Sequence, residues 1–320
     1  MNEPILSVDG LSKRFKFDAG FFAPENKFVY AVNRVSFEVR RNEIYGLVGE
    51  SGCGKTTTAR LIVRMYRPDT GTVRFTDKNG NRVSLESAEG RELQHTREQI
   101  QYIFQDPARS LNPRMTVKEV LLSGYRYAST WPGNARATEE AAALLGDVGL
   151  KPDDMYRRPP DFSGGQRQRI SIARALIMKP KLLICDEVVS ALDVSIQSQI
   201  LNLLLRLKDE HDLSMLFISH DLAVITYVCD RVGVMYRGAL VEEAPAEALV
   251  NNPQHGYTRY LYSSIPRLGD SDEESARMEA VASSPYRGTR FDPTKRPAEI
   301  DTAAMREISE NHKALDTLLL

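Results

Sequence analysis

Short apolar runs, some alternating with polar residues, dominate the first third of the chain and predict β-strands. Ile5–Val8 and Val29–Val39 are rich in Val, Phe and Tyr, residues that favour strands. Ile44–Val48 is mostly apolar and leads into glycines, a pattern typical of a strand buried on both faces of a parallel sheet. Thr72–Thr76 and Arg82–Leu85 flank an Asn-Gly pair, which predicts a hairpin.

The next part of the chain alternates between helical periodicity and apolar runs of strand length. This alternation, with glycine-rich loops at strand ends, predicts a parallel sheet covered by helices. After about Ala244 the pattern changes. Asn252–Pro266 carries three tyrosines and is expected to pack on the body, and the tail beyond Arg267 is expected to be partly disordered or docked. Helices are expected over Thr56–Met65, Thr116–Val148, Gln166–Met178 and Ser195–His211, and buried strands over Lys181–Cys185 and Ser214–Ser219.

Composition narrows the class of protein. A net charge of −1 argues against binding to nucleic acid through phosphate contacts alone. Three scattered cysteines are too few for a disulfide framework or a four-ligand metal site, and they favour a reducing cytosol. Met1–Gly10 has no secretory pattern, and no run approaches the roughly 18 apolar residues of a membrane span. We therefore expect membrane association only through a partner.

The most specific motif lies between the strand Ile44–Val48 and the helix that follows it, where Gly49 and Gly54, five positions apart, precede a Lys-Thr pair. Glycines let main-chain N–H groups wrap phosphates, and a helix N-terminus adds a positive dipole. Lys55 would neutralise β- and γ-phosphate charge, and the Thr56 hydroxyl would bind Mg²⁺. The alternative is a chance glycine turn. The candidate ATP-binding residues here are Gly49, Glu50, Ser51, Gly52, Cys53, Gly54, Lys55, Thr56 and Thr57.

Two acidic residues end the apolar run Leu182–Cys185. A parallel strand delivers such carboxylates to the edge of the sheet where the phosphate loop is also expected. Asp186 would hold Mg²⁺, and Glu187 would orient and polarise the attacking water. For this segment alone, ordinary solvated acids are the simpler interpretation. Together with the phosphate loop, the pair predicts a P-loop NTPase.

The segment Phe162–Arg169 resembles the signature of the ATP-binding cassette (ABC) family, Leu-Ser-Gly-Gly-Gln, in which Phe is a familiar variant at the first place. Ser163 and the glycines would also form an ordinary helix N-cap, and both interpretations hold together. The candidate signature residues, which act on a partner cassette, are Ser163, Gly164, Gly165 and Gln166.

This resemblance covers roughly residues 5–245 and implies the fold. The family has an α/β, RecA-like P-loop NTPase core with an antiparallel β subdomain and an α-helical signature subdomain, here at about residues 108–178. We expect residues 1–245 to form the ATP-binding cassette and residues 246–320 to form a C-terminal extension.

The resemblance also implies roles for isolated residues. Phe15 matches an aromatic residue that stacks on adenine, although a strand-core role stays open. Gln105 matches the glutamine that senses Mg²⁺ and the attacking water, and Ser190 and Asp193 match the loop at the dimer interface. His220 matches the switch histidine at the γ-phosphate, with a structural histidine as the alternative. The catalytic set is thus Glu187, His220 and Gln105, and the metal set is Thr56, Gln105 and Asp186.

The segment Gln105–Thr116 resembles the peptide/nickel subfamily of importer ATPases, as does Asn252–Arg259. Two departures stand out. Gly256 replaces the usual proline, which would loosen the start of a C-terminal helix. No cysteine follows Cys229, so the iron–sulfur cluster of many relatives cannot be built.

What the resemblance implies is an ATP-hydrolysing motor, using ATP and Mg²⁺, on the cytoplasmic face of the cell (inner) membrane. In the family two cassettes meet head to tail and drive two permeases, with an extracytoplasmic binding protein. We expect a different sibling as the second ATPase, although a homodimer stays open. Peptides are the expected cargo, and oligosaccharides or nickel complexes are the alternatives.

Two rivals come from other classes. A soluble cassette acting on DNA or ribosomes would carry a coiled-coil or zinc insertion, or a second cassette in the same chain. The segment between Gln105 and Ser163 has no sustained heptads and no paired cysteines, and the chain has one phosphate loop and one signature. We therefore expect no nucleic acid partner. Regulatory subunits with an effector-binding tail usually have a longer, strand-richer segment than the one after Arg267, and a modest inhibitory or stabilising role for this tail stays open.

Overall fold

The computed structural model describes residues 3–16, 28–263, 305–309 and 311–315. Within these residues the strands are β1 (Pro4–Lys16), β2 (Phe28–Arg40), β3 (Ile44–Val48), β4 (Thr70–Thr76), β5 (Arg82–Ser84), β6 (Ile100–Ile103), β7 (Leu182–Asp186), β8 (Ser214–Ser219), β9 (Arg231–Tyr236), β10 (Ala239–Pro245), β11 (Arg306–Ser309) and β12 (His312–Ala314). The helices are α1 (Lys55–Ile62), α2 (Gly90–Gln99), α3 (Pro107–Ser110), α4 (Val117–Tyr125), α5 (Asn134–Asp147), α6 (Gly164–Leu176), α7 (Val194–His211), α8 (Leu222–Val228), α9 (Ala246–Asn251) and α10 (Gly256–Ser263). None of the described helices has the length and apolar character that crossing a membrane requires.

The chain divides into two compact units. The first consists mainly of Phe75–Phe217 and holds the neighbouring strands β6 and β7 and most of β8. β6 and β7 are parallel, with Tyr102 opposite Ile184. Every residue of β7 and β8 is buried, as expected for strands covered on both faces. Helices α4, α5 and α6 pack on one another through their apolar faces.

The second unit contains the described residues of Leu6–Glu38, Ile44–Arg74 and the described residues from Ile218 onwards. Its larger sheet has the order β11-β12-β10-β9-β3, in which β3 and β9 are parallel and the other pairs are antiparallel. The parallel pair aligns Val48 with Val234. Helix α1 follows β3 after the glycine-rich loop, and this strand–loop–helix arrangement positions the loop at the carboxyl end of β3.

Several elements differ from the sequence expectation. Helix α1 ends at Ile62 because Arg64 has a left-handed backbone, φ 60°. The expected helix over Thr116–Val148 is interrupted after Tyr125, where Pro132 and Gly133 (φ 91°) separate α4 from α5. The hairpin prediction is confirmed, since β4 and β5 are neighbours in one sheet.

Part of the tail is docked. β12 pairs with β10, with Ala314 opposite Glu242, and β11 pairs with β12 in turn. The carboxylate of Glu242 is buried, and its Oε1 lies 2.8 Å from His312 Nε2. The tail between Ser263 and residue 305 lies outside the described residues. For residues 306–309 and 312–314, the docked alternative is therefore confirmed.

The turn between β4 and β5 provides a pH-dependent contribution to stability. Asp77 accepts hydrogen bonds from the N–H groups of Asn79 and Asn81, both 2.8 Å, and from Asn81 Nδ2, 3.1 Å. Burial acts to raise the pKa of Asp77, but these hydrogen bonds outweigh it and hold the pKa below its usual value. The ionised carboxylate therefore stabilises the folded state.

Replacing Asp77 with Ala is expected to lower the melting temperature at pH 7 by about 2–4 °C. Because the pKa of Asp77 is lower in the folded than in the unfolded state, this stabilisation is complete above a pH of about 3.9 and is lost as the pH falls further. Thermal denaturation from pH 7 to pH 3 measures the difference. The exposed Asp153→Ala variant is the control, and an Asp77 effect that persists undiminished in acid would contradict this account.

Candidate nucleotide-binding site

The glycine-rich loop in the second unit is closed around the side chain of Lys55. The Lys55 ammonium is buried and donates to the carbonyl oxygens of Gly49, at 2.6 Å, and Glu50, at 2.9 Å. A Cβ atom at Gly49 would collide with the Met235 carbonyl oxygen, and one at Gly54 with that of Ala31. Only glycine allows this close approach of main chain to main chain. The loop therefore needs its glycines for packing as well as for its turns.

Cys53 lies inside this loop, with its sulfur 3.7 Å from Lys55 Nζ. Burial raises the pKa of the Cys53 thiol, and this effect exceeds the opposing influence of Lys55. The thiol therefore stays protonated at neutral pH, the form in which a cysteine is a weak nucleophile. The Cys53 carbonyl accepts the Gly238 N–H at 2.9 Å, which ties the loop to the turn between β9 and β10.

Phe15 and His220 belong to the second unit. Phe15, on β1, is half-buried and meets Tyr66 edge-on, with ring centroids 5.2 Å apart. His220 is exposed at the end of β8, and the next residue, Asp221, caps α8 by accepting the Ala223 N–H at 2.8 Å. The contacts of Phe15 agree with either the adenine-stacking or the strand-core interpretation, so its role stays a prediction.

The first unit holds the two acidic residues at the end of β7. The buried carboxylate of Asp186 accepts a 2.5 Å hydrogen bond from the Tyr102 hydroxyl. Glu187 has a left-handed backbone, φ 51°, and its Oε2 accepts from Gln105 Nε2 at 2.7 Å. Two of the predicted catalytic residues, Gln105 and Glu187, are therefore in contact. A left-handed non-glycine residue at this point turns the chain sharply after the strand.

The signature segment opens helix α6, also in the first unit. Ser163 Oγ accepts from the Gln166 N–H at 3.3 Å, and Gln166 Oε1 accepts from the Ser163 N–H at 3.0 Å. This reciprocal capping box confirms the helix N-cap interpretation of Ser163 and explains why the helix starts at Gly164. A Cβ at Gly165 would lie 2.7 Å from Ile196 Cγ2, so a larger residue there would require the Ile196 side chain to shift.

The predicted dimer loop follows Glu187 in the same unit. Ser190 Oγ donates to the Glu187 carbonyl oxygen at 2.9 Å, and Asp193 immediately precedes α7. Ser190, Ala191, Asp193 and Val194 are exposed, and Val194 is 78% exposed. The interface role of Ser190 and Asp193 stays a prediction.

Two tyrosines that no sequence motif indicates contact the candidate site residues. Tyr102 donates to Asp186, and Tyr257 accepts the Glu50 N–H at 3.0 Å. Tyr102 lies on β6, which pairs with β7. Its contact with Asp186 could have been predicted only from the parallel pairing of these two apolar strands. Tyr257 is one of the three tyrosines of Asn252–Pro266, a segment for which the sequence predicts packing on the body but no contact with the glycine-rich loop.

The comparisons with known families cover most of the chain. Residues 32–190 match the family described as ABC transporter, and residues 241–294 match the family described as oligopeptide/dipeptide transporter, C-terminal region. A Brucella abortus protein named as a peptide import ATP-binding protein is 43% identical over 97% of this chain and 96% of its own length. The glutathione import ATP-binding protein GsiA of Salmonella typhimurium is 48% identical over 86% of this chain, which spans 43% of that protein.

Solved structures show the same fold. A dimeric ATP-binding cassette in a post-hydrolysis state, bound to ADP and Pi, has a TM-score of 0.64 at 24% identity, with 75% of this chain and 98% of that chain covered. The subunit cbiO1 of a Clostridium perfringens ABC transporter complex has a TM-score of 0.66 at 22% identity, with 87% and 100% covered. The expected fold class, a P-loop NTPase cassette, is confirmed.

The chain therefore belongs to the ATP-binding proteins of the ABC transporter family. It is an ATPase, as the glycine-rich loop and the acidic strand end predicted.

Replacing Glu187 with Gln is expected to reduce ATP turnover nearly to zero while ATP binding persists, because the substitution removes the proposed base and keeps its size. ATP turnover in the assembled complex and the Kd for ATP measure this directly. Brisk turnover would contradict the assignment of Glu187.

The contrasting variant is Lys55→Ala, which removes a charge-assisted phosphate contact. It is expected to raise the Kd for ATP about ten- to a hundredfold. If the two variants had the same Kd for ATP, the assignment of Lys55 to ATP binding and of Glu187 to hydrolysis would be contradicted.

Proposed function

We propose that this chain is the ATP-hydrolysing motor subunit of an ABC importer that takes up peptides. The observation that carries the proposal is the match of residues 241–294 to the oligopeptide/dipeptide transporter C-terminal region, beside the cassette match over residues 32–190. The similar Brucella protein is named for peptide import and aligns over nearly its whole length. GsiA is named for import of glutathione, which is itself a tripeptide.

In the proposed catalytic roles, Lys55 binds the β- and γ-phosphates and the main-chain N–H groups of residues 51–57 wrap them. Glu187 polarises the attacking water, with Gln105 holding its carboxylate. His220 contacts the γ-phosphate, and Phe15 stacks on adenine. The hydrogen bond between Gln105 and Glu187 supports this assignment, because a base must be held in one orientation to act.

The proposed Mg²⁺ ligands are the Thr56 hydroxyl, the Gln105 amide oxygen and the Asp186 carboxylate. All three donors are oxygen atoms, the ligand type that Mg²⁺ prefers. Asp186 is buried, and its Oδ2 accepts from Tyr102, so the carboxylate is held in place. The ion, when bound, neutralises charge on the phosphate oxygens. The donor set of the chain fits this role.

The proposed assembly pairs this cassette head to tail with a second ATP-binding subunit, either a different sibling or a second copy. Ser163, Gly164, Gly165 and Gln166 would then complete the ATP site of the partner, with Ser190 and Asp193 in the interface. The capped N-terminus of α6 suits this role, since the glycine N–H groups and the helix dipole attract anions. We propose residues 1–245 as the cassette, about 108–178 as its helical subdomain and 246–320 as the extension.

Two permeases and an extracytoplasmic binding protein complete the proposed complex, with the chain on the cytoplasmic face of the membrane. The proposed permease contact includes Ser110–Arg114 and the helices after it. Arg109, Asn112, Pro113 and Arg114 are exposed, whereas the Ser110 carbonyl is held at 2.6 Å by the Arg174 guanidinium. Tyr127 and Tyr156 are 76% and 67% exposed, which suits insertion into a partner.

The test of cargo is uptake by cells that express the chain in place of its deleted gene. Labelled di- and tripeptides, including glutathione, are expected to enter at the original rate with the unaltered chain. With Glu187→Gln they are expected to enter at less than about a tenth of it, since the uptake requires turnover. Labelled oligosaccharides and a nickel complex are assayed in parallel. Peptide uptake that is independent of the chain, with loss of one of the other cargoes, would overturn the peptide assignment.

A further inference from the structure

We propose that Tyr257 is a positioning residue for the phosphate loop. This inference rests on the proposed role of that loop in binding ATP. Tyr257 lies in helix α10, which belongs to the segment after the cassette, and its hydroxyl oxygen accepts the main-chain N–H of Glu50 at 3.0 Å. The contact joins residues 207 positions apart in the sequence.

The bond holds one end of a particular peptide group. The Glu50 N–H and the Gly49 carbonyl belong to the same planar unit, and in a trans peptide they point in opposite directions. The Gly49 carbonyl accepts from Lys55 Nζ at 2.6 Å. Tyr257 and Lys55 therefore hold opposite edges of one peptide plane, and the orientation of that plane sets where the ammonium group of Lys55 lies.

The Tyr257 ring is itself fixed. It is 0% exposed, and it packs on Tyr236 with ring centroids 4.2 Å apart. Burial raises the pKa of the Tyr257 hydroxyl, so the hydroxyl stays neutral at physiological pH. Its neutral oxygen can accept the Glu50 N–H, and burying it costs less free energy than burying a charged phenolate would. An immobile aromatic ring holds its hydroxyl oxygen more narrowly than a flexible side chain would.

Helix α10 is anchored at its start by a buried carboxylate. Glu242 Oε1 accepts the Gln254 N–H and Oε2 accepts the His255 N–H, both at 2.8 Å, immediately before the helix begins at Gly256. His312, on the tail strand β12, lies 2.8 Å from the same carboxylate. The glycine at position 256 therefore does not leave the helix start loose. Described parts of the C-terminal extension thus determine where Tyr257 sits.

The opposite end of the loop has its own support. The Gly238 N–H donates to the Cys53 carbonyl, and the Cys53 N–H donates to the Glu50 carbonyl at 3.2 Å. Removing the Tyr257 hydroxyl would therefore release one edge of the first peptide of the loop and leave the other hydrogen bonds of the loop in place. The expected consequence is weaker ATP binding with the chemical step preserved.

The test compares Tyr257→Phe with Tyr262→Phe, a control that makes the same atomic change on the same helix at a residue only 5% exposed. Tyr257→Phe is expected to raise the Kd and the KM for ATP about three- to tenfold, with kcat in the assembled complex changed less than about twofold. Hydrogen exchange at the Glu50 amide, measured without nucleotide, is expected to accelerate in Tyr257→Phe only. The control is expected to match the unaltered chain in all these readouts.

Equal Glu50 exchange and equal ATP affinity in the two variants would overturn the proposal. A merely structural role would lower the melting temperature in Tyr257→Phe and leave the Kd of the folded protein unchanged, which also contradicts it. Failure of the unaltered chain to bind ATP would instead refute the proposed function. The exchange rate of the Glu50 amide would still decide whether Tyr257 holds the loop.

Discussion

The candidate site depends on one buried contact, the ammonium group of Lys55 against the carbonyl oxygens of Gly49 and Glu50. A buried cation is tolerated only when its hydrogen bonds are satisfied, and here the loop itself supplies the acceptors. The loop can fold so tightly because Gly49 and Gly54 let its main chain touch the carbonyls of Met235 and Ala31. The glycines that packing requires are therefore the same ones that we propose for phosphate binding.

The second constraint is at the end of β7. The buried carboxylate of Asp186 accepts a hydrogen bond from Tyr102. Glu187 has a left-handed backbone immediately after the strand, and its carboxylate accepts a hydrogen bond from Gln105. Two adjacent carboxylates thus receive different environments, one fixed and buried, the other half-buried and held by an amide. The fixed, buried carboxylate suits Asp186 for its proposed role as a metal ligand. The half-buried carboxylate suits Glu187 for its proposed role in polarising water.

Much of this was predictable from sequence because the decisive features are local. Strands β3 and β8 have the predicted bounds, since continuous apolar runs between polar ends need no partner to be recognised. The phosphate loop and the signature are contiguous motifs. The interruption after α4 and the early end of α1 were missed, because Gly133 and Arg64 act through backbone conformation. Contacts between distant residues, such as Tyr257 with Glu50, have no local pattern, and neither do the short strands β11 and β12 in a polar tail.

The central claim is that this cassette drives membrane permeases. It is tested most directly by identifying the proteins that the chain binds in the cell. The measurement is affinity purification of the Glu187→Gln chain from native membranes with ATP and Mg²⁺, followed by mass spectrometry of the co-purifying proteins. We predict recovery of two multispanning permeases with a sibling cassette or a second copy of the chain. Recovery of ribosomes or DNA-repair factors, or of no membrane-embedded protein, would contradict the transport assignment.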